Sequence, residues 1–264
     1  MNKLEKLKEN LSKYKSAVIA FSGGVDSTFL AKVASEVLGD NLLLVTVKAS
    51  IIPNSEIEET KELAKTFRVK HQLIEFDITK TNTFIENLPN RCYFCKKDFF
   101  SLIKQVAYEK GFEVVFDGSN IDDNADYRPG KKALKELGVI SPLAETEFTK
   151  EEIRNYSRIY NLSTAEKPAY ACLASRFPYG EKITVDKLER VEKSEQRIRN
   201  LGFIHFRVRS HDNLARIEFA PGEIAKGWEK RNDIEKICIE AGYNYVAIDI
   251  RGYRTGAMNE TLNT

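Results

Sequence analysis

A chain of 264 residues has room for one large domain, or for a medium domain with a smaller one beside it. Its 42% hydrophobic and 30% charged content is that of a globular protein, and 41 basic against 39 acidic residues argue against a broad nucleic-acid-binding face. The opening stretch MNKLEKLKENLSKYKS is charged throughout, so no signal peptide is expected, and no run approaches the roughly 18 apolar residues of a membrane span.

In chain order, Leu4, Leu7, Leu11 and Tyr14 recur at helical spacing and predict an amphipathic first helix. The apolar runs 17–21, 42–47 and 114–116 read as strands buried on both faces of a parallel sheet, and HQLIEFD at 71–77 reads as a further strand. Helical patterns fall between them: STFLAKVASEVLG, NSEIEETKELAKTFR and KKDFFSLIKQVAYEKG. Strand and helix in alternation predict an α/β doubly wound, mostly parallel sheet. From about residue 180 the texture changes to helix, FIHFRVRS, LARIEFA, a helical stretch over about 222–241, and YNYVAIDI. That order predicts a small C-terminal α+β domain. The expected organisation is therefore 1–165, a linker loop 166–180, and 181–264.

The segment AVIAFSGGVDSTFLAKVA carries the strongest chemical signal. A buried strand runs into Ser22, Gly23, Gly24, Val25, Asp26, Ser27 and Thr28, and a helix follows. Paired glycines let backbone approach a ligand, and the N–H groups of a helix start attract anions. Ser22, Ser27 and Thr28 add hydroxyl donors. The lysine of the GxxxxGK loop is absent, so chemistry at a γ-phosphate is not indicated. A carboxylate at Asp26 beside phosphate is intelligible if Mg²⁺ bridges the two. Ligands of open α/β sheets sit outside the carboxyl ends of strands. That rule adds Val47, Lys48 and Ala49 after the second strand, and Asp117, Gly118 and Asn120 after the fourth. Asp122, Asp123 and Asp126, with Arg128 nearby, read equally well as a solvated loop with helix caps.

SGGVDST resembles the loop of the PP-loop ATP pyrophosphatases. Together with DGSNxDDxxDYRPG, SRFPYG, RVR…ARIE and RGYRTGAMN, it resembles one branch across nearly the whole chain: the LarE family, ATP-dependent sulfur transferases that build the nickel-pincer nucleotide cofactor. The resemblance implies that ATP adenylates a carboxylate of pyridinium-3,5-biscarboxylic acid mononucleotide. Sulfur then replaces AMP, and a second round converts the other carboxylate. It also implies a homo-oligomer, possibly a hexamer, with adenine against the end of the second strand, while four cysteines without an expected export signal fit a reducing cytosol. For the substrate's phosphate, Arg207 and Arg209 lie two apart on one strand face, with Arg216 and Glu218 on the next strand. Ser175 and Arg176 of SRFPYG join them as candidates, with Arg251 and Arg254 as weaker ones. The plainer reading of the Arg207 and Arg209 face is a polar strand surface exposed to water.

Family members differ in sulfur source, and some sacrifice the one cysteine before SRFPYG. This chain has that cysteine, Cys172, and also Cys92 and Cys95 in NRCYFCKKDFF. Three thiolates suit a 4Fe-4S cluster with one iron open to hydrosulfide from an external donor. Sacrifice of Cys172, a Cys92–Cys95 redox dithiol and structural zinc stand as alternatives, while Cys238 reads as a core residue. Lys96 or Lys97, electrostatically misplaced near a helix start, is a candidate for reaching a phosphate. Rival functions are a tRNA thiolase, an amide-forming PP-loop ligase such as NAD synthetase, and a catalytically silent nucleotide or iron–sulfur sensor.

Overall fold

The computed structural model describes residues 2–125, 129–168, 171–254 and 256–257. The chain forms two compact units, one of residues 1–77 and 90–170, the other of residues 78–89 and 171–264. The elements are α1 (Lys3–Ser12), β1 (Ala17–Ala20), α2 (Val25–Leu38), β2 (Leu42–Lys48), α3 (Asn54–Phe67), β3 (Lys70–Glu75), α4 (Asn82–Ile85), α5 (Arg91–Glu109), β4 (Val114–Phe116), α6 (Pro129–Glu136), α7 (Pro142–Glu145) and α8 (Lys150–Ile159). They continue with α9 (Val185–Asn200), β5 (Phe206–His211), β6 (Leu214–Phe219), α10 (Ile224–Glu229), α11 (Arg231–Glu240) and β7 (Tyr245–Ile248).

In the first unit the sheet has order β3-β2-β1-β4 and every pairing is parallel. Alternate residues of its central strands enter two different cores. Ala17, Ile19, Leu42 and Leu44 pack with α1, α2 and α8, whereas Val18, Leu43, Val45 and Val47 pack with α5 and α6. That two-sided burial is why β1 and β2 read as unbroken apolar runs. The sheet reverses direction of winding between β1 and β4, so the loops leaving those strands open a crevice at their carboxyl ends.

Helix α5 begins at Arg91, earlier than the pattern starting at Lys96 suggests, so Cys92 and Cys95 lie within its first turn and a half. The Asn90 carbonyl accepts the Tyr93 N–H at 2.9 Å and starts the helix. Three helices between β4 and the second unit were not expected from the apolar pattern. One of them, α8, has a capping box: the Thr149 side chain accepts from the Glu152 N–H, and the Glu152 carboxylate accepts from the Thr149 N–H.

The second unit holds a three-stranded sheet of order β5-β6-β7, antiparallel then parallel. Phe206, Val208, Ile217 and Phe219 pack against Ile198 of α9 and Ile234 and Ile237 of α11. Cys238 is buried in this core, and burial pushes its thiol up to about 12. The single helix expected over 222–241 is two helices, because Lys230 leaves helical geometry at φ −89°, ψ 12°. None of the helices of the described residues is long and apolar enough to cross a membrane.

Gly227 of α10 is buried, and a Cβ there would lie 2.5 Å from Phe219 Cε2. Alanine in a helix gains about 1 kcal/mol over glycine, but overpacking costs about 1–3 kcal/mol, so the clash wins. Gly227→Ala should therefore lower the urea midpoint of unfolding. An unchanged or raised midpoint would show that the Phe219 ring yields freely.

Candidate nucleotide site and the Cys172 loop

The loop after β1 is built as a ligand cradle. Gly23 adopts φ 68°, and α2 begins after Gly24 with no side-chain cap, leaving its first N–H groups without a side-chain acceptor. Ser22 Oγ lies 3.1 Å from Ser27 Oγ, and Ser27 Oγ donates to the Gly24 carbonyl at 3.2 Å. Ser22 is exposed and Gly24 half-buried. Thr28 is fully buried and its hydroxyl has no hydrogen-bond partner among the described residues.

The loop after β4 abuts this cradle. A Cβ on Gly118 would fall 3.0 Å from the Ser27 nitrogen and 3.2 Å from its Cα, so only glycine permits the approach. Asp117 is buried, and the hydroxyls of Ser119 and Ser141 donate to its two oxygens. Asn120, also buried, donates to Asp26 Oδ1 at 3.3 Å and accepts from the Asp122 and Asp123 N–H groups. Asp122 accepts the Lys150 N–H at 2.7 Å, and Asp123 accepts the Asn120 N–H at 3.1 Å. These two aspartates therefore shape the loop and the start of α8. Asp126 and Arg128 lie outside the described residues.

Asp26 Oδ2 accepts from the Lys150 ammonium at 2.5 Å. A carboxylate in the first turn of an uncapped helix offers Mg²⁺ a single oxygen ligand, to which bound phosphate oxygens would have to be added. Lys167 is a second lysine that the sequence motifs do not single out. It donates to the Gly23 carbonyl at 3.2 Å, to Glu56 at 2.7 Å and to Glu59 at 2.5 Å, tying the cradle to α3. A third contact outside the motifs is Thr46, whose hydroxyl donates to the Phe21 carbonyl at 2.6 Å and lies 2.8 Å from His71 Nε2. His71 must then donate from Nε2, and burial, followed by the charge of Lys61, lowers its pKa and keeps the ring neutral. At the end of β2, Val47 and Ala49 are buried, while Lys48 is exposed and pairs with Glu75 at 3.2 Å.

On α5, Cys92 is exposed and Cys95 half-buried. Separations of three and four residues place Cys92, Cys95 and Lys96 along one side of the helix, and Lys97 away from them. The stem of Lys96 crosses Gly130, where a Cβ would lie 2.5 Å from Lys96 Cδ. Lys97 is exposed, 3.4 Å from the Tyr93 hydroxyl and 3.7 Å from Glu136, so it has the surroundings of a surface lysine. Within each unit, no three His, Cys, Asp or Glu side chains among the described residues gather as a metal site. Cys172 belongs to the second unit, whereas Cys92 and Cys95 belong to the first.

In the second unit Arg176, Arg207 and Arg209 are buried, so the plainer reading of a strand face open to water does not hold for Arg207 and Arg209. Arg176 is 0% exposed. It grips Glu195 through Nε at 2.9 Å and Nη2 at 2.8 Å, and its Nη1 donates to the carbonyls of Ala171 (2.7 Å) and Cys172 (3.2 Å) and to Ser175 Oγ (2.9 Å). Arg176 thus moulds the backbone that carries Cys172. Arg209 is fixed by Glu218 and by the Ser175 carbonyl at 2.8 Å. Arg216 pairs with Asp249 and, at 3.2 Å, with Glu218. Arg207 lies 4.9 Å over the Tyr253 ring. Burial, then the charge of Arg176 set against Glu195, lowers its pKa. Arg251 is exposed, and Arg254 donates to the Gly252 carbonyl at 3.2 Å.

Glu195 also accepts the Val208 N–H at 3.0 Å, sealing the edge of β5. Burial alone would raise its carboxyl, but Arg176 and these hydrogen bonds carry it below the ordinary carboxylate range. A depressed folded-state pKa stabilises above the unfolded value, and that stability is lost as pH falls through the folded one. Glu195→Gln should cost about 3–5 kcal/mol at neutral pH, as for one partner of a buried pair. The gap to wild type in urea unfolding should shrink below about pH 4. A gap of the same size at both pH values would contradict this.

Residues 1–127 match the PP-loop domain family. Over 264 residues the chain is 42% identical to an uncharacterised protein of Synechocystis sp., covering 99% of this chain and 98% of that one. It is 35% identical over 245 residues to the pyridinium-3,5-bisthiocarboxylic acid mononucleotide synthase of Lactiplantibacillus plantarum, covering 92% and 89% of the two chains. An uncharacterised protein of Methanocaldococcus jannaschii is 32% identical over 258 residues, covering 97% of this chain and 98% of its own. The PP-loop cradle and the relatedness over almost the full length together establish that the chain belongs to the LarE family of ATP-dependent sulfurtransferases.

Proposed function

We propose that the protein adenylates the carboxylates of pyridinium-3,5-biscarboxylic acid mononucleotide with ATP and replaces each AMP by sulfur from an external donor. The observation that carries this reading is the cradle of Ser22, Gly23, Gly24 and Ser27, with Asp26 held at its mouth by Asn120. It is supported by the product named in the Lactiplantibacillus relative. A carboxylate resists attack by an anion because attack adds charge to charge. Joining its oxygen to the α-phosphorus, with pyrophosphate departing, removes that charge and supplies AMP as a leaving group. Sulfide then attacks the acyl carbon, AMP leaves with its electron pair, and a thiocarboxylate remains.

In this reading the loop binds the β- and γ-phosphates through the first N–H groups of α2, and Asp26 holds Mg²⁺ against them. Val47 and Lys48 flank the base, and Asp117, Gly118 and Asn120 form the opposite wall. Lys96, half-buried beside the cysteines, is favoured over Lys97 as the lysine that reaches a phosphate. Arg207, Arg209 and Arg216, with Glu218 orienting two of them, receive the substrate's phosphate, and Ser175 borders it. Arg176 acts through the Cys172 backbone and not by touching substrate. Cys92, Cys95 and Cys172 would hold a 4Fe-4S cluster. Two of them one turn apart on α5 fit thiolate ligation, and the group would supply an iron able to carry external sulfide. The second unit serves substrate binding and self-association in the cytoplasm, supported by the exposed Trp228, Tyr245 and Ile250.

Anaerobic assays that follow pyrophosphate and thiolated product separately test the scheme. Cys172→Ala should keep pyrophosphate release within about twofold of wild type while thiolation falls by about 100-fold or more. Asp26→Ala should lose both. Undiminished thiolation by Cys172→Ala would remove that thiol from the reaction. Conversion of Cys172 to dehydroalanine, one sulfur per chain, would assign the sacrificial route and exclude the cluster.

A further inference from the structure

Two cations on the nucleotide cradle are not accounted for by the sequence motifs: Lys167, held by Glu56 and Glu59, and Lys150. Lys150 opens α8, where a positive side chain is opposed by the helix dipole. Its position is nevertheless built with care. The capping box of Thr149 and Glu152 fixes the helix start, and the Lys150 N–H is held by Asp122 at 2.7 Å. Asp122 belongs to the same loop that Gly118 presses against Ser27, so the root of the lysine is anchored to the cradle itself. The side chain reaches from that root to rest its ammonium on Asp26.

Lysine carries three N–H donors. Among the described residues, Asp26 is the only partner of this ammonium, and the side chain is 33% exposed. Two donors therefore remain for whatever enters the cradle. Asp26 sits in the first turn of α2, beside the N–H groups where a triphosphate binds. A triphosphate there carries more negative charge than the Mg²⁺ proposed on Asp26 neutralises, and the Lys150 ammonium on Asp26 offsets part of the remainder.

We propose that Lys150 is a substrate-contacting residue of the adenylation step, binding the pyrophosphate portion of ATP while remaining against Asp26. The inference rests on the PP-loop adenylation reading and extends it. As the carboxylate oxygen bonds to the α-phosphorus, the bond from that phosphorus to the bridging oxygen breaks, and its electron pair leaves with pyrophosphate. The ammonium stabilises that growing charge, a charge-assisted contact stronger in the transition state than in bound ATP.

Titration calorimetry with ATP and with AMP, paired with substrate-dependent pyrophosphate release, tests the assignment. Lys150→Met should weaken ATP binding by about 10- to 100-fold. AMP, which lacks the β- and γ-phosphates, should bind within about twofold of wild type, and pyrophosphate release should fall more than ATP affinity does. Lys150→Arg, which keeps the charge, should recover part of both losses. Equal weakening of ATP and AMP would reduce Lys150 to a prop for Asp26 and overturn the proposal, as would unchanged pyrophosphate release by Lys150→Met. If wild type itself releases no pyrophosphate in the presence of substrate, the adenylation reading fails, whatever the nucleotide contrast shows.

Discussion

Everything at the nucleotide site depends on how closely two backbone segments approach. The loop after β4 lies so near the start of α2 that a single methyl group on Gly118 would meet the Ser27 nitrogen at 3.0 Å. That contact places Asn120 where it can reach Asp26, and it places Asp122 where it can hold the start of α8. Parallel pairing of β1 with β4 brings the two loops to one edge. A sheet that winds outward in both directions from β1 leaves a crevice there. Fold and site are thus one constraint. The apolar registers that pair Val18 with Val115 are also what bring phosphate-binding amides and Asp26 together.

The second unit solves a different problem, the burial of charge. Arg176, Glu195, Arg209 and Glu218 are all at most 5% exposed at their side chains. Desolvating such groups costs several kcal/mol each, and attraction within a pair barely offsets this. Stability is therefore a poor explanation for their presence. Position is a better one: the Arg176 guanidinium binds three groups of residues 171–175, and Arg209 binds a fourth. A loop with no regular strand or long helix of its own is fixed around Cys172 by two arginines whose own places are set by glutamates. Arg207, on the same strand face as Arg209, is buried over the Tyr253 ring.

Much of this was legible in the sequence, and for physical reasons. Strands buried on both faces announce themselves as apolar runs, and β1, β2 and β4 lie where those runs fall. Glycines flanked by hydroxyl residues after a strand marked the cradle, because few other residue types can line it. Helix α8 was missed although TKEE spells a capping box; its apolar stripe is short, and a cap without a stripe is easily read as loop. Lys150 and Lys167 were missed because their partners are 124 and 108–144 residues away in sequence. No periodicity reports a contact of that range. The pairing of arginines with glutamates was equally hidden: alternation showed that Arg207 and Arg209 share a face, but not that the face is covered.

The most direct test of the central claim, that ATP is used to activate a carboxylate, follows the fate of oxygen. Substrate prepared with isotopically heavy carboxylate oxygen is turned over with ordinary ATP, and AMP and pyrophosphate are analysed by mass spectrometry. Attack by the carboxylate on the α-phosphorus, followed by displacement by sulfur, must leave one heavy oxygen in each AMP and none in pyrophosphate. Unlabelled AMP, or ADP with labelled inorganic phosphate, would contradict the account.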